Sequence, residues 1–96
     1  MTQSETSLID ARRRKVQYRA WHRGMREMDL IFGKFVDQNI ALLSESDLDA
    51  LEVLMEEIDR DIFMWLTGEI TVPAQFDTEI YRAVKEFHTH LGPIHI

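Results

Sequence analysis

A chain of 96 residues makes one domain, and its 45% hydrophobic content is ample for one helical core but leaves no volume for a large enclosed cofactor. The absence of cysteine excludes disulfides, thiolate metal sites and a cysteine nucleophile together, and fits a reducing compartment. Net charge is −6 but polarised: seven of the eleven Lys and Arg residues lie between Arg12 and Arg26 with no acidic residue among them, whereas Glu45 to Asp61 holds eight acidic residues and one basic one, Arg60.

Residues 1–7 are polar and are expected to form a disordered tail. Nothing in them resembles a signal peptide, and no apolar stretch approaches the ~20 residues of a membrane span. A cytoplasmic location without direct membrane insertion is therefore expected. Residues 8–92 are expected to form one all-α domain, since no segment alternates with period two. The first helix is predicted from about Leu8 to Trp21, with a weak apolar stripe of Ile9, Val16 and Ala20. Its other face carries Arg12, Arg13, Arg19 and Arg23. Gly24 suits a chain reversal through positive φ. A second helix, about Arg26 to Leu43, places Met28, Ile31, Phe32, Phe35 and Leu42 on one face, with Val36, Ile40 and Leu43 beside them. Gly33 lowers its propensity, and close packing against a neighbouring helix is the ordinary reason.

Ser44 followed by Glu45, Ser46 and Asp47 reads as a capped helix start. The stripe beyond it is Leu48, Leu51, Met55, Ile58, Ile62 and Trp65, with Asp49, Glu52, Glu56, Glu57 and Asp59 on the solvated faces. This stretch is one long helix or two short ones with a bend near Asp59 to Asp61, and Thr67-Gly68 ends it. Trp65 is expected to be buried against the second helix. Pro73 closes the linker. A last helix carries Phe76, Ile80, Val84, Phe87 and Leu91 before Gly92-Pro93 stops it, leaving 93–96 as a tail.

Catalytic constellations are missing. His88 and His90 are two apart and so face different sides of a helix, unlike the i,i+4 pair of zinc sites. There is no Walker loop, no GxGxxG and no G-x-S-x-G, and no Asp-rich loop with a central glycine for calcium. The acidic run follows a solvated helix face. No enzyme, no catalytic residue, no metal and no cofactor of its own are expected. The overall charge and the lack of any nucleic-acid module argue against nucleic acid.

One segment is unusual. Arg23, Arg26, Glu27 and Asp29 crowd around Gly24 at the turn between the first two helices. Tyr18-Arg19, His22-Arg23-Gly24, Glu27-Met28-Asp29, Asp61, Trp65-Leu66-Thr67-Gly68 and then Pro73 resemble the succinate dehydrogenase assembly factor family, the flavinators of bacteria and mitochondria. The family's hallmark R-G-x-x-E stands here as Arg23-Gly24-Met25-Arg26-Glu27, with D-x-x-x-W-L-x-G downstream. The resemblance covers about Arg12 to Pro73. The last helix matches only in length and character, and residues 1–7 not at all.

The resemblance implies a five-helix bundle, hence two helices across Glu45 to Leu66. It also implies binding to the flavoprotein subunit of succinate dehydrogenase, and by extension of fumarate reductase, to promote covalent attachment of FAD to a histidine of that subunit. The partner-binding residues it implies are Arg23, Gly24 and Glu27, with Arg26, His22 and Asp29 as neighbours. Separately, the free chain is expected to be a monomer. Physically, Arg23 is expected to offer an exposed bidentate donor to a partner carboxylate, and neither Arg23 nor Glu27 to contribute much to the core. Two rival readings are an antitoxin-like or nucleic-acid-associated regulator acting through Arg12 to Lys15, and a carrier that itself binds FAD.

Overall fold

The computed structural model describes the backbone of residues 3–90 and the side chains of residues 8–88. Among these residues all regular structure is helical: α1 (Gln3–Trp21), α2 (Arg26–Asn39), α3 (Glu45–Met55), α4 (Asp59–Thr67) and α5 (Glu79–His90). Two 3-10 turns, Ile40–Leu42 and Ala74–Phe76, link α2 to α3 and lead into α5. α1 packs on α2 and α3, and α5 packs on α2 and α3. Among the described residues no helix is long and apolar enough to cross a membrane.

The expected stripes supply most of the core. Val16 and Ala20 of α1, Met28, Ile31, Phe32, Phe35 and Val36 of α2, Leu48, Leu51 and Met55 of α3, Ile62 of α4, and Ile80 and Val84 of α5 are all buried. Gly33 is packed as expected: a Cβ there would lie 2.3 Å from the indole of Trp21. The Trp21 indole N–H donates to Asp37 at 3.0 Å and fastens the end of α1 across α2. Ser44 caps α3 through a complete box, its hydroxyl accepting the Asp47 N–H at 3.0 Å and the Asp47 carboxylate accepting the Ser44 N–H at 3.1 Å. Gly68 ends α4 with φ of 83°, a left-handed residue where a side chain would be strained.

The structure corrects several boundaries. α1 begins at Gln3, not Leu8. α2 ends at Asn39, and the 3-10 turn that follows rotates Leu42 off the apolar face into solvent, where it is 81% exposed. Two helices span Glu45 to Thr67, with the break at residues 56–58, just ahead of the expected bend. Ile58, counted in the apolar stripe, becomes the residue preceding α4 and is 68% exposed. Phe76 is buried but in the second 3-10 turn, where it stacks on the buried Trp65 with ring centroids 5.3 Å apart; this ring, from outside the second helix, is the aromatic neighbour of Trp65. Leu91, Gly92-Pro93 and the 93–96 tail lie outside the described residues.

Charge also works within the bundle. Arg12, on the face of α1 away from the apolar stripe, donates from Nε and Nη2 to the two oxygens of Glu52 at 3.2 and 2.8 Å, and from Nη2 to Asp49. The hydrogen bonds to Glu52 and Asp49 hold its guanidinium pKa above the ordinary value. Arg12 thus joins the basic helix to the acidic one. Arg13 donates to the Leu43 carbonyl at 3.2 Å.

Candidate docking site at the turn between α1 and α2

Residues 22–25 connect α1 to α2, and an isolated turn of this kind leaves backbone N–H groups without partners. Here three consecutive N–H groups are satisfied by carboxylates. Arg23 N–H donates to Asp29 at 2.5 Å, and Gly24 N–H and Met25 N–H donate to one oxygen of Asp59 at 2.6 and 3.1 Å. Asp29 sits in the second helix, and Asp59 is the first residue of α4, where the helix dipole favours a negative side chain.

The Arg23 side chain turns inward to the same place. Its Nε and Nη2 reach the other oxygen of Asp59 at 2.7 and 2.6 Å. Nη1 donates to the Met55 carbonyl at 2.6 Å and Nη2 to the Glu57 carbonyl at 3.3 Å, groups at the C-terminal end of α3 that the helix leaves unpaired. The guanidinium carbon lies 5.4 Å from the centre of the Phe32 ring. Both side chains of this ion pair are only 9% exposed. This overturns two expectations: Arg23 is not an exposed, uncommitted donor without a structural part, and Asp59 does not belong to a solvated acidic face. The physical reason is the break after Met55. It swings the start of α4 back against the turn, and a carboxylate buried there requires a charged partner and hydrogen bonds.

The remaining residues that the sequence singles out are brought to the same turn with different allegiances. His22 is exposed and stacks on Tyr18 at 3.9 Å; its Nδ1 lies 2.6 Å from the Tyr18 carbonyl, so Nδ1 carries the proton that is donated. Gly24 is exposed, and its φ is not positive, since Gly68 alone among the described glycines has that conformation. A Cβ on Gly24 would stand 3.4 Å from Asp59, an ordinary contact. The fold itself therefore makes no demand for glycine there, contrary to the expectation of a left-handed turn. Arg26 is exposed and Glu27 half-buried, and neither side chain has a hydrogen bond or ion pair with any described residue. Asp29 is spent on the Arg23 backbone.

Between this turn and the segment Glu57 to Arg60 runs a shallow groove of about 440 Å³, whose walls include Gly24, Met25, Ile58 and Asp59. Sequence reasoning missed Asp59 and Ile58. The only signal available was the position of Asp59 at a helix start. Among the described residues no group of three His, Asp or Glu side chains could hold a metal ion.

Comparison with known proteins places this turn in context. The family described as flavinator of succinate dehydrogenase matches residues 14–88. The mitochondrial succinate dehydrogenase assembly factor 2 of Dictyostelium discoideum is 39% identical over 82 residues, which cover 85% of this chain and 58% of that protein. The FAD assembly factor SdhE of Acetobacter pasteurianus is 34% identical over 78 residues, covering 81% of this chain and 72% of that protein. The assembly factor 2 of Caenorhabditis elegans is 33% identical over 82 residues, 82% of this chain and 69% of that protein. The chain thus spans little more than half of the Dictyostelium relative and about two thirds of the others. No solved structure matches it at a significant level. With its hallmark turn, its helical fold and a match over most of its length, the chain belongs to the family of succinate dehydrogenase flavinators.

Proposed function

We propose that this chain docks on the flavoprotein subunit of succinate dehydrogenase and promotes covalent attachment of FAD to that subunit, without catalytic groups or a flavin of its own. Family membership supports the activity. The observation that carries the docking surface is a turn held from beneath by Asp29 and Asp59, with Gly24 exposed on it and the Arg26 and Glu27 side chains uncommitted beside it. A glycine that its own fold does not require is what a closely approaching partner backbone would require. The partner-binding set is His22, Gly24, Arg26 and Glu27 in contact, with Arg23 and Asp29 shaping the contact from below.

The bond between flavin and protein is formed by the cofactor's own chemistry, so a helper needs only to favour the competent arrangement. A protein that binds the attachment-ready conformation of its client more tightly than the unready one shifts the population toward it. The encounter takes place in the cytoplasm with the free chain a monomer, and the flavoprotein of fumarate reductase is a second client by the same chemistry. The test is to incubate flavoprotein subunit lacking covalent flavin with FAD, with and without this chain, and to read flavin fluorescence on the denatured subunit. Faster attachment in the presence of the chain is expected. An unchanged rate contradicts the proposal, and stoichiometric FAD held by the chain alone would favour the carrier reading.

A further inference from the structure

The hallmark turn contains no residue in a left-handed conformation among the described residues, and Met25 supplies no side-chain cap to α2. Its shape therefore has to come from outside. Asp59 supplies it: one oxygen takes the N–H groups of Gly24 and Met25 at 2.6 and 3.1 Å, the other takes the Arg23 guanidinium at 2.6 and 2.7 Å. The carboxylate comes from α4, more than thirty residues along the chain, and is 9% exposed. A buried ion pair is weak evidence of stability in itself, because well-packed apolar residues in its place are often as stable. What apolar residues cannot do is orient two backbone N–H groups. The guanidinium, held by Asp59, Met55 and Glu57 and set against the Phe32 ring, has four of its five donors directed into the protein.

We infer that Asp59 is a positioning residue of the docking surface: it presets the backbone of residues 23–25 in the shape the flavoprotein reads, and Arg23 serves in that clasp rather than as a contact to the partner. This inference rests on the docking reading above. It assigns the arginine of the hallmark a role beneath the interface and adds an α4 residue to the machinery of the turn.

The experiment compares Asp59→Asn, Asp59→Glu, Glu27→Ala and a remote core variant, Val84→Ala, using two readouts: affinity for the purified flavoprotein subunit, and hydrogen exchange at the Gly24 and Met25 amides. Measurements are made where circular dichroism shows each variant folded. The inference expects Asp59→Asn to expose both amides to fast exchange and weaken binding at least tenfold. Asp59→Glu should recover part of both, and Val84→Ala should bind within twofold of the unaltered chain whatever its loss in melting temperature. Binding by Asp59→Asn within twofold of the unaltered chain, while Glu27→Ala loses it, overturns the inference and leaves the docking reading standing. If Glu27→Ala also binds normally, the docking reading falls as well. Should Asp59→Asn fail to fold, the unaltered chain decides. Slow exchange at Gly24 and Met25 before the flavoprotein is added supports presetting, and fast exchange in the free chain refutes it.

Discussion

At the scale of single residues, the hallmark divides into parts that hold the turn and parts that face outward. Of the five N–H donors of the Arg23 guanidinium, the structure uses four on Asp59, Met55 and Glu57. Arg23→Ala would strand a buried carboxylate, and losing one member of such a pair costs about 3–5 kcal/mol. A lowered denaturation midpoint for Arg23→Ala, against a nearly unchanged one for Glu27→Ala, is the expected result in chemical unfolding. The difference follows from burial, which charge and spacing do not reveal. From the sequence, Arg23 and Glu27 look alike: two charged residues flanking a glycine on no apolar stripe. The residue that separates them, Asp59, stands among eight acidic residues whose spacing looks like a solvated face. Nothing local distinguishes it, because its partner comes from another helix.

At the scale of elements, periodicity carried far. The apolar stripes of α2, α3 and α5 were legible because burial repeats with the helical turn, and the cap at Ser44 because its hydrogen bonds are local. Leu42 and Ile58 were misread for a common reason: each falls where the helix stops, and the change of backbone geometry turns the side chain off the stripe. Gly33 is the clearest case of an element held by a single absence of atoms. Replacing it with alanine gains about 1 kcal/mol of helix propensity but drives a methyl group to 2.3 Å from the Trp21 ring. Overpacking of that kind costs about 1–3 kcal/mol, so the clash outweighs the propensity. Gly33→Ala should lower the melting temperature and alter the near-ultraviolet signal of Trp21, which must leave its place between α1 and α2.

At the scale of the whole molecule, the polarised charge is partly used up inside the bundle. Arg12 is neutralised by Asp49 and Glu52, and Arg23 by Asp59, so the basic end left for partners is smaller than the composition suggests. Titration adds a second global property. Burial lowers the pKa of His88 on α5 below its ordinary 6.5, and its buried Nδ1 has no hydrogen-bond partner among the described residues. The unfolded chain then binds a proton there more readily than the folded one. Stability contributed by neutral His88 is complete above pH 6.5 and declines as pH falls through that value toward the lower folded pKa. Thermal unfolding between pH 7.5 and 5.5 should show a fall in melting temperature that is smaller in His88→Gln. The family itself was legible because R-G-x-x-E and D-x-x-x-W-L-x-G are linear strings, whereas the clasp joining their neighbourhoods exists only in the folded chain.

The central claim, that an internally clasped turn presents uncommitted charges to a flavoprotein, is tested most directly by titrating the purified flavoprotein subunit with the unaltered chain and with Glu27→Ala. The Glu27 side chain has no hydrogen bond or ion pair among the described residues, so its truncation should leave the fold intact and the melting temperature nearly unchanged, with at most the small loss of a favourable charge in the first turn of α2. At an interface it would strand a partner cation, a loss of about 2–5 kcal/mol and hence more than tenfold in affinity. A dissociation constant raised more than tenfold by a variant that melts like the unaltered chain is the predicted result. Equal affinity for both chains would contradict the account and return the turn to plain architecture.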